Sequence, residues 1–580
     1  MRQMAILSAA ARLRRWLRSS EAALIGVAVA VGLLAGATML IQRDAAHFVQ
    51  AVLYGTDISR LSALTSIAPW RLLALPIGGL FLMGLNLLVR KRVHAPIDVV
   101  EANALHGGVI PIGDTWLVAA QTLLSNGFGA SVGLEAAYAQ MGGGLASVLG
   151  QRLKLRRSDL RLMVGAGAGA AVGAAFGAPL TGAFYAFEIV IGAYTPAAIA
   201  PVAAAAMVAA LVVRATGTPS YLIAIPGAQA IVTLDYLIYA LLGLICAGIA
   251  ILLMQGVTWI ERGIKKSPVP ERIRPVVGGL LLIPIAWISP QALSAGHGAL
   301  HLDLTEQVGI GFLAAVFLLK MAASAISLGF GFRGGLFFAS LFLGSLVGQI
   351  YGELAAGIPG IPPIDATDAA LVGMAALAVA VVGGPMTMAM LVLETTHDFA
   401  LTGAALVAAL CASTVVRTTF GFSFSTWRLH TRGETIRSAR DVGWVKTLTA
   451  GRMMRRGVPT VPSGTTVAEF RRRFPLGSTG RVVLVDEHEA YAGLVPTAAA
   501  FADSLDEAAP VSTIAILPDA ALRPDQDVTA VMRVLDEKEA DDLAVVDDEA
   551  RVLGTVSERH VRRRYAEEIE KAQRDLFGEA

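Results

Sequence analysis

The strongest constraint in this chain is that one glycine-rich pattern occurs twice in apolar surroundings. Ser131 to Gln151 reads SVGLEAAYAQMGGGLASVLGQ, and Arg333 to Gln349 reads RGGLFFASLFLGSLVGQ. Each contains a Gly-Leu pair, and a glycine stands nine positions after the first, Gly133 to Gly142 and Gly335 to Gly344. A second pair follows: GAPLTGAFYAFE, ending at Glu188, and GGPMTMAMLVLE, ending at Glu394, with nine positions from proline to glutamate in both. The offsets nearly agree, 335 − 133 = 202 and 394 − 188 = 206. Two membrane halves with matching, glycine-interrupted segments point to a transporter whose substrate site lies between the halves.

The first copy carries one carboxylate, Glu135, among small apolar residues. An ionisable group at membrane depth is costly, by about 2.5–3.5 kcal/mol on insertion scales, so it normally faces a cavity or a pathway. Glu135 is therefore the first functional candidate. Packing alone does not require the same glycine pattern twice, so the paired stretches are read as broken helices lining a cavity, the scattered glycines as close helix contacts.

Composition agrees with this reading. Of 580 residues, 55% are hydrophobic and only 16% charged, and the mean hydropathy is +0.62, which fits several membrane spans with a soluble piece attached. The net charge of +2 says little about partners, and nothing in the sequence suggests a nucleic-acid surface. Cys246 and Cys411 lie in apolar runs and are read as packed small hydrophobes. The histidines show no metal-ligand spacing. Arg2, Arg12, Arg14, Arg15 and Arg18 precede the apolar run Ala22 to Ile41, read as an uncleaved first span with its basic flank in the cytoplasm. A loop is expected from about Arg43 to Trp70, then a second run, Leu72 to Val89, closed by Arg90 to Arg92. Basic turns at Gln151 to Arg161 and Glu261 to Arg274 fit the same side of the membrane.

After Trp427 to Trp444 the apolar pattern ends, and the tail repeats at an offset of 61: Val467 with Val528, Asp486 with Asp547, Gly493 with Gly554. Alternating strands and helices, repeated once, predict two small α/β modules packed together.

These motifs resemble those of the CLC family of chloride channels and proton-coupled anion exchangers, and the tail is similar to a CBS domain pair. Glu135 within Gly133-Leu134-Glu135-Ala136-Ala137 matches the family's gating glutamate, without the basic residue and proline of that motif. Gly335 to Ala339 matches the stretch whose backbone N–H groups hold the anion, again without its proline. The family's G-S-G-I-P is placed on Gly107 to Pro111, with Gly108 at the serine position. Its pore tyrosine falls at Phe424. The resemblance thus implies an anion site made by Gly107, Gly108, Val109, Ile110, Leu134, Glu135, Ala136, Leu336, Phe337 and Phe424, with both side-chain hydroxyls missing. It implies also that Ile189 stands where many exchangers carry an inner proton-transfer glutamate, while Glu188 and Glu394 cap or pair within the helix bundle. In the tail, Ser557 matches a nucleotide-binding position, but His560 replaces the expected aspartate. Adenine nucleotide is thus the one candidate ligand there, beside a purely dimer-stabilising role, and no cofactor is expected.

The expected fold is an all-α polytopic membrane domain of two inverted repeats with broken helices, over 21–435, with repeats at roughly 70–220 and 275–430. A basic segment over 1–20 precedes it, and CBS modules over 446–505 and 506–570 follow. The expected function is transport of a small monovalent anion, chloride first, gated by Glu135, with coupling to protons left open by Ile189. The alternatives are a passive channel, a non-conducting sensor, or a carrier of bicarbonate or nitrate. The resemblance implies a homodimer in a bacterial-type plasma membrane with both termini cytoplasmic. Gly129 to Gly133 also fits the G-x-S-x-G elbow of a serine hydrolase, with Ser131 as nucleophile, but the strand-turn-helix context and a supported histidine base are not expected there.

Overall fold

The computed structural model describes residues 20–56, 61–89, 95–217, 231–305, 308–359, 364–431 and 448–577. The basic N-terminal segment, the Arg90 to Arg92 flank and the 432–447 stretch that holds the expected domain boundaries lie outside these. The chain divides into two compact units, Met1–Asp441 and Val442–Ala580.

The first unit is helical throughout its described residues. In chain order its helices are α1 (Glu21–Tyr54), α2 (Ala74–Leu88), α3 (Val99–Leu105), α4 (Ile112–Gly127), α5 (Glu135–Leu153), α6 (Arg157–Phe176), α7 (Pro179–Tyr185), α8 (Pro196–Ala215) and α9 (Thr233–Lys266). The second half runs α10 (Arg274–Ile288), α11 (His297–Thr305), α12 (Ile310–Gly329), α13 (Phe337–Ala356), α14 (Ala366–Val382), α15 (Pro385–Thr396), α16 (Phe399–Val415) and α17 (Phe424–Thr431). Eight spans among the described residues are long and apolar enough to cross a membrane. α1 does not stop near Arg43 as expected. It runs on to Tyr54 because Arg43 pairs with Asp44 and Gln50 donates to Asn126 of α4, so the polar residues are satisfied on the helix. A left-handed Gly55 ends it.

The two halves fold alike, α2 to α8 matching α10 to α16. Outside this correspondence, α7 continues into a π turn, Ala186–Ile191, and α16 into another, Val416–Phe420; each ends at a left-handed glycine, Gly192 and Gly421. The repeated glycines explain how the halves close. A methyl group on Gly142 of α5 would run into the carbonyl of Gly167 on α6, and the reverse also holds. Gly344 of α13 and Gly373 of α14 repeat the contact. This corrects the expectation for that glycine pair: Gly142 and Gly344 are packing glycines that let backbones touch, twice because the fold is built twice. The helices so joined, α5 and α6 on one side and α13 and α14 on the other, are largely enclosed.

In the second unit a short helix, α18 (Ala450–Met453), precedes two modules of one design. Strand β1 (Thr460–Pro462), helix α19 (Val467–Arg473), β2 (Arg481–Val485) and β3 (Tyr491–Pro496) make the first. The second repeats them as β4 (Ala521–Leu522), α20 (Val528–Glu537), β5 (Asp542–Val546) and β6 (Val552–Ser557), followed by α21 (Glu558–Phe577). In each sheet the first strand pairs parallel and the third antiparallel with the middle one. Even the bulges coincide at the offset of 61, between Leu484 and Val485 and between Val545 and Val546. Arg481 ties the modules together through Asp541 and Asp542 at 2.5 and 2.9 Å.

Candidate functional site

The site begins where the two repeats touch. The N–H of Gly133 donates to the carbonyl of Gly335 at 3.0 Å and the N–H of Gly335 returns the bond to Gly133 at 3.4 Å. This two-residue bridge sets the starts of α5 and α13 side by side. Neither start is capped by a side chain, since Leu134 and Leu336 occupy the cap positions. Two sets of first-turn amides, each with the partial positive charge of a helix N-terminus, therefore face one region.

Glu135 fills that region. A Cβ on Gly133 would overlap its Oε2, and one on Gly335 would lie 3.5 Å from the same oxygen and 3.8 Å from the amide nitrogens of both Ala136 and Phe337. At Gly133 only glycine leaves room for the carboxylate where it stands. The side chain is 4% exposed, and its Oε2 finds no hydrogen-bond partner. A carboxylate oxygen held among helix-start amides occupies the kind of position an inorganic anion takes at a helix N-terminus.

A cavity of about 120 Å³ opens beside it. Leu336, Phe337 and Ala136 line it from the two helix starts, Phe424 from the start of α17, and Tyr185 from the end of α7. Three charged residues that the sequence reading did not single out also reach it: Asp98, Arg333 and Arg428. Arg333 is steadied from α4, its guanidinium donating to Gln121 at 3.3 Å and its backbone N–H to Ser125 at 3.0 Å. Arg428 lies over the Phe424 ring at 5.8 Å.

The structure does not bring Gly107, Gly108, Val109 and Ile110 to this cavity. They form the loop after α3, where the N–H of Ile110 donates to Ser147 Oγ and that hydroxyl donates to the carbonyl of Gly108. Ser147 is twelve residues along α5 from Glu135, about 18 Å at 1.5 Å per residue. Side chains on Gly107 and Gly108 would meet Arg157 and Arg161 instead. The loop that faces the cavity is the one before α3: Ile97 donates to Asp114 at 3.1 Å and accepts from Gln140 of α5 at 3.0 Å. Asp98 caps α3 by accepting from the N–H of Glu101 at 2.8 Å, so this helix start carries its own carboxylate. The Asp-x-x-Glu spacing of a capping box was the signal that marked it.

Behind the bridge lies a buried polar scaffold. Lys320, fully enclosed on α12, donates to the carbonyls of Ser294 at 2.7 Å and Ala292 at 3.3 Å. The Ser294 hydroxyl accepts from Gln50 and Asn126, and Asn126 donates to the carbonyl of Val132, next to Gly133. Ser131, the nucleophile of the hydrolase alternative, pairs with Ser324 at 3.0 Å, and its N–H donates to Ser327. Among the described residues no histidine bonds it, and the loop follows a helix, not a strand. Among the described residues no group of three or more His, Cys, Asp or Glu could hold a metal ion.

Glu188 and Glu394 exchange caps between the halves. Glu188 accepts from the N–H groups of Met386 and Thr387 and from the Thr387 hydroxyl, at 3.1, 2.8 and 2.7 Å. Glu394 accepts from Leu180, Thr181 and the Thr181 hydroxyl at 2.8, 2.8 and 2.7 Å. Ile189 lines a larger second cavity of about 530 Å³ with Glu188 and Arg417.

In the second unit Ser557 closes β6, opposite Asp542 in register. His560 follows on α21, its ring nitrogen 3.4 Å from Arg563. Burial holds the Asp542 carboxyl above the usual carboxylate range despite Arg481 beside it.

Against this geometry stand the comparisons with known proteins. A family model described as voltage gated chloride channel matches residues 78–417, and a CBS domain model matches residues 511–567. A voltage-gated ClC-type chloride channel, ClcB, of Escherichia coli O9:H4 (strain HS) is 29% identical over 402 residues, 68% of this chain and 95% of its own length. Among solved structures, a slow cyanobacterial Cl−/H+ antiporter superposes with a TM-score of 0.61 at 22% identity, covering 70% of this chain and 97% of its own. A eukaryotic CLC transporter does so with a TM-score of 0.58 at 16% identity, covering 93% and 97%. At these identities the two structures speak for the fold.

Proposed function

The chain belongs to the voltage gated chloride channel family, and from that premise we propose that it carries a small monovalent anion, chloride first, through the cavity beside Glu135. It is an integral, multi-pass membrane protein and not an enzyme. Glu135 acts as the gate: ionised, it occupies the place where the helix starts of α5 and α13 converge; protonated, it gives up that place to the anion. The observation that carries this reading is the buried, unpaired Glu135 Oε2 in the space that only a glycine at 133 leaves open. Ala136, Leu336, Phe337 and Phe424 complete the site in this reading, whereas Leu134 lines a separate small pocket with Asn126 and Ser294. The test is anion flux from proteoliposomes as a function of pH, wild type against Glu135→Gln.

A passive channel is the second reading, favoured by Ile189, which lines the second cavity without a group that can hold a proton. Proton movement measured alongside chloride flux separates the two: a fixed ratio for an exchanger, none for a channel. A preference for bicarbonate or nitrate is read from the same assay with the internal anion exchanged. The homodimer, the plasma membrane and the cytoplasmic termini belong to the same proposal. An adenine nucleotide at Ser557 is tested by titration with ATP and AMP.

A further inference from the structure

We propose that the hydroxyl of Tyr185 is the side-chain donor to the anion in the cavity beside Glu135. The inference rests on the anion-transport reading above and adds to it the group that selects for a small anion able to accept a hydrogen bond.

Three observations converge. Tyr185 ends α7 and lines the cavity together with Glu135, Leu336, Phe337 and Phe424. Its ring meets Phe337, the first residue of α13, edge to face with centroids 6.0 Å apart, and Phe337 packs in turn on Phe176 at 5.3 Å. The phenol is thus fixed against the helix start whose amides face the site.

The third observation concerns partners. A buried tyrosine hydroxyl normally finds an acceptor. Tyr54 donates to the carbonyl of Phe128 at 2.7 Å, and Tyr351 to that of Ile238 at 2.8 Å. Tyr185 is only 8% exposed, yet its hydroxyl bonds no described residue. A donor without an acceptor, facing a cavity built from two helix starts, is suited to an acceptor that comes and goes. Phe424, across the cavity, has no donor to offer. A neutral hydroxyl strengthens the hold on an anion through a charge-assisted bond and still lets it leave. Ser425 also lines this cavity, but it is shared with the second cavity and has no ring to fix it at the helix start.

The experiment is calorimetric titration of sodium chloride, and separately of sodium nitrate, into the full-length protein in detergent. Wild type, Tyr185→Phe, Ser425→Ala and Tyr185→Phe/Phe424→Tyr are compared, with thermal unfolding followed on each. Phenylalanine keeps the ring and its contact with Phe337. Tyr185→Phe is expected to weaken chloride binding about tenfold or more, the effect of one lost hydrogen bond to a charged group, with the unfolding midpoint unchanged. The double variant should regain most of that affinity. Chloride affinity within about twofold of wild type in Tyr185→Phe, on the scale of those same losses, overturns the proposal. So does a loss carried by Ser425→Ala instead, or a loss that comes with a lowered midpoint and does not return in the double variant. A wild type that binds and moves neither anion overturns the transport reading and this inference with it, whereas a transporting wild type with an unaffected Tyr185→Phe removes Tyr185 alone.

Discussion

The two halves of the membrane unit are alike where they hold the fold and unlike where they meet the cavity. Gly133 and Gly335 exchange one pair of backbone bonds, Gly142 and Gly344 admit a neighbouring helix, and Glu188 and Glu394 cap each other's half. At the second position past the bridge, after the shared Leu134 and Leu336, the symmetry breaks: α5 starts with Glu135, α13 with Phe337. Lys320 on α12 has Val118 as its counterpart at the same offset of 202, and Tyr185 has Leu391 at 206. A duplicated scaffold can thus make one pair of helix starts from two copies and place titratable or polar side chains on one side only. The differences between the copies are where chemistry is to be sought.

The shared positions should respond alike in both halves. Gly142→Val and Gly344→Val each force side-chain atoms into a facing carbonyl, and each should destabilise by about 3 kcal/mol or more. Recovery of monodisperse protein from membranes measures this. A tolerated Gly344→Val beside a lethal Gly142→Val would break the symmetry argument. Glu188→Ala and Glu394→Ala each strand two backbone donors and a threonine hydroxyl, at about 2–3 kcal/mol. Thermal unfolding in detergent should fall by similar amounts for the two, and a large difference would show that one glutamate has a second role.

The second unit offers the same comparison at lower amplitude. Backbone N–H groups of Ala490 and His488 hold the Asp486 carboxyl below the usual carboxylate range. At Asp547 burial pulls upward, but the N–H groups of Arg551 and Glu549 and the Arg551 guanidinium pull further down. A depressed folded-state value gives stability above the ordinary carboxylate range that is lost as pH falls through that value. Asp486→Asn and Asp547→Asn should therefore each make acid unfolding between about pH 5 and 2 shallower, the smallest effects expected. Unchanged acid profiles would remove the turn carboxylates from the account.

Much of the fold was legible because repetition is legible. The offset of 61 in the tail reappears down to the bulges, and the paired glycines mark real contacts. Glu135 was legible because a lone carboxylate in an apolar run needs a reason. The loop at Gly107 to Ile110 misled, since its glycines and proline imitate a motif while the less conspicuous Asp98 and Glu101 carry the capping signal beside the cavity. α1 was cut short because hydropathy alone ends it where polar residues begin, whereas Gln50 finds its partners on α4 and on the Ser294 loop. Tyr185, Arg333 and Arg428 were not legible, because the cavity gathers them from three distant parts of the chain and no spacing records that meeting.

The most direct test of the account is the pH dependence of chloride flux in proteoliposomes holding wild type or Glu135→Gln. If the Glu135 carboxylate competes with the anion for the paired helix starts, wild-type flux rises as the carboxylate is protonated, and Glu135→Gln, which cannot ionise, loses that dependence while still passing chloride. A Glu135→Gln profile that follows the wild type across the same pH range would contradict the gate.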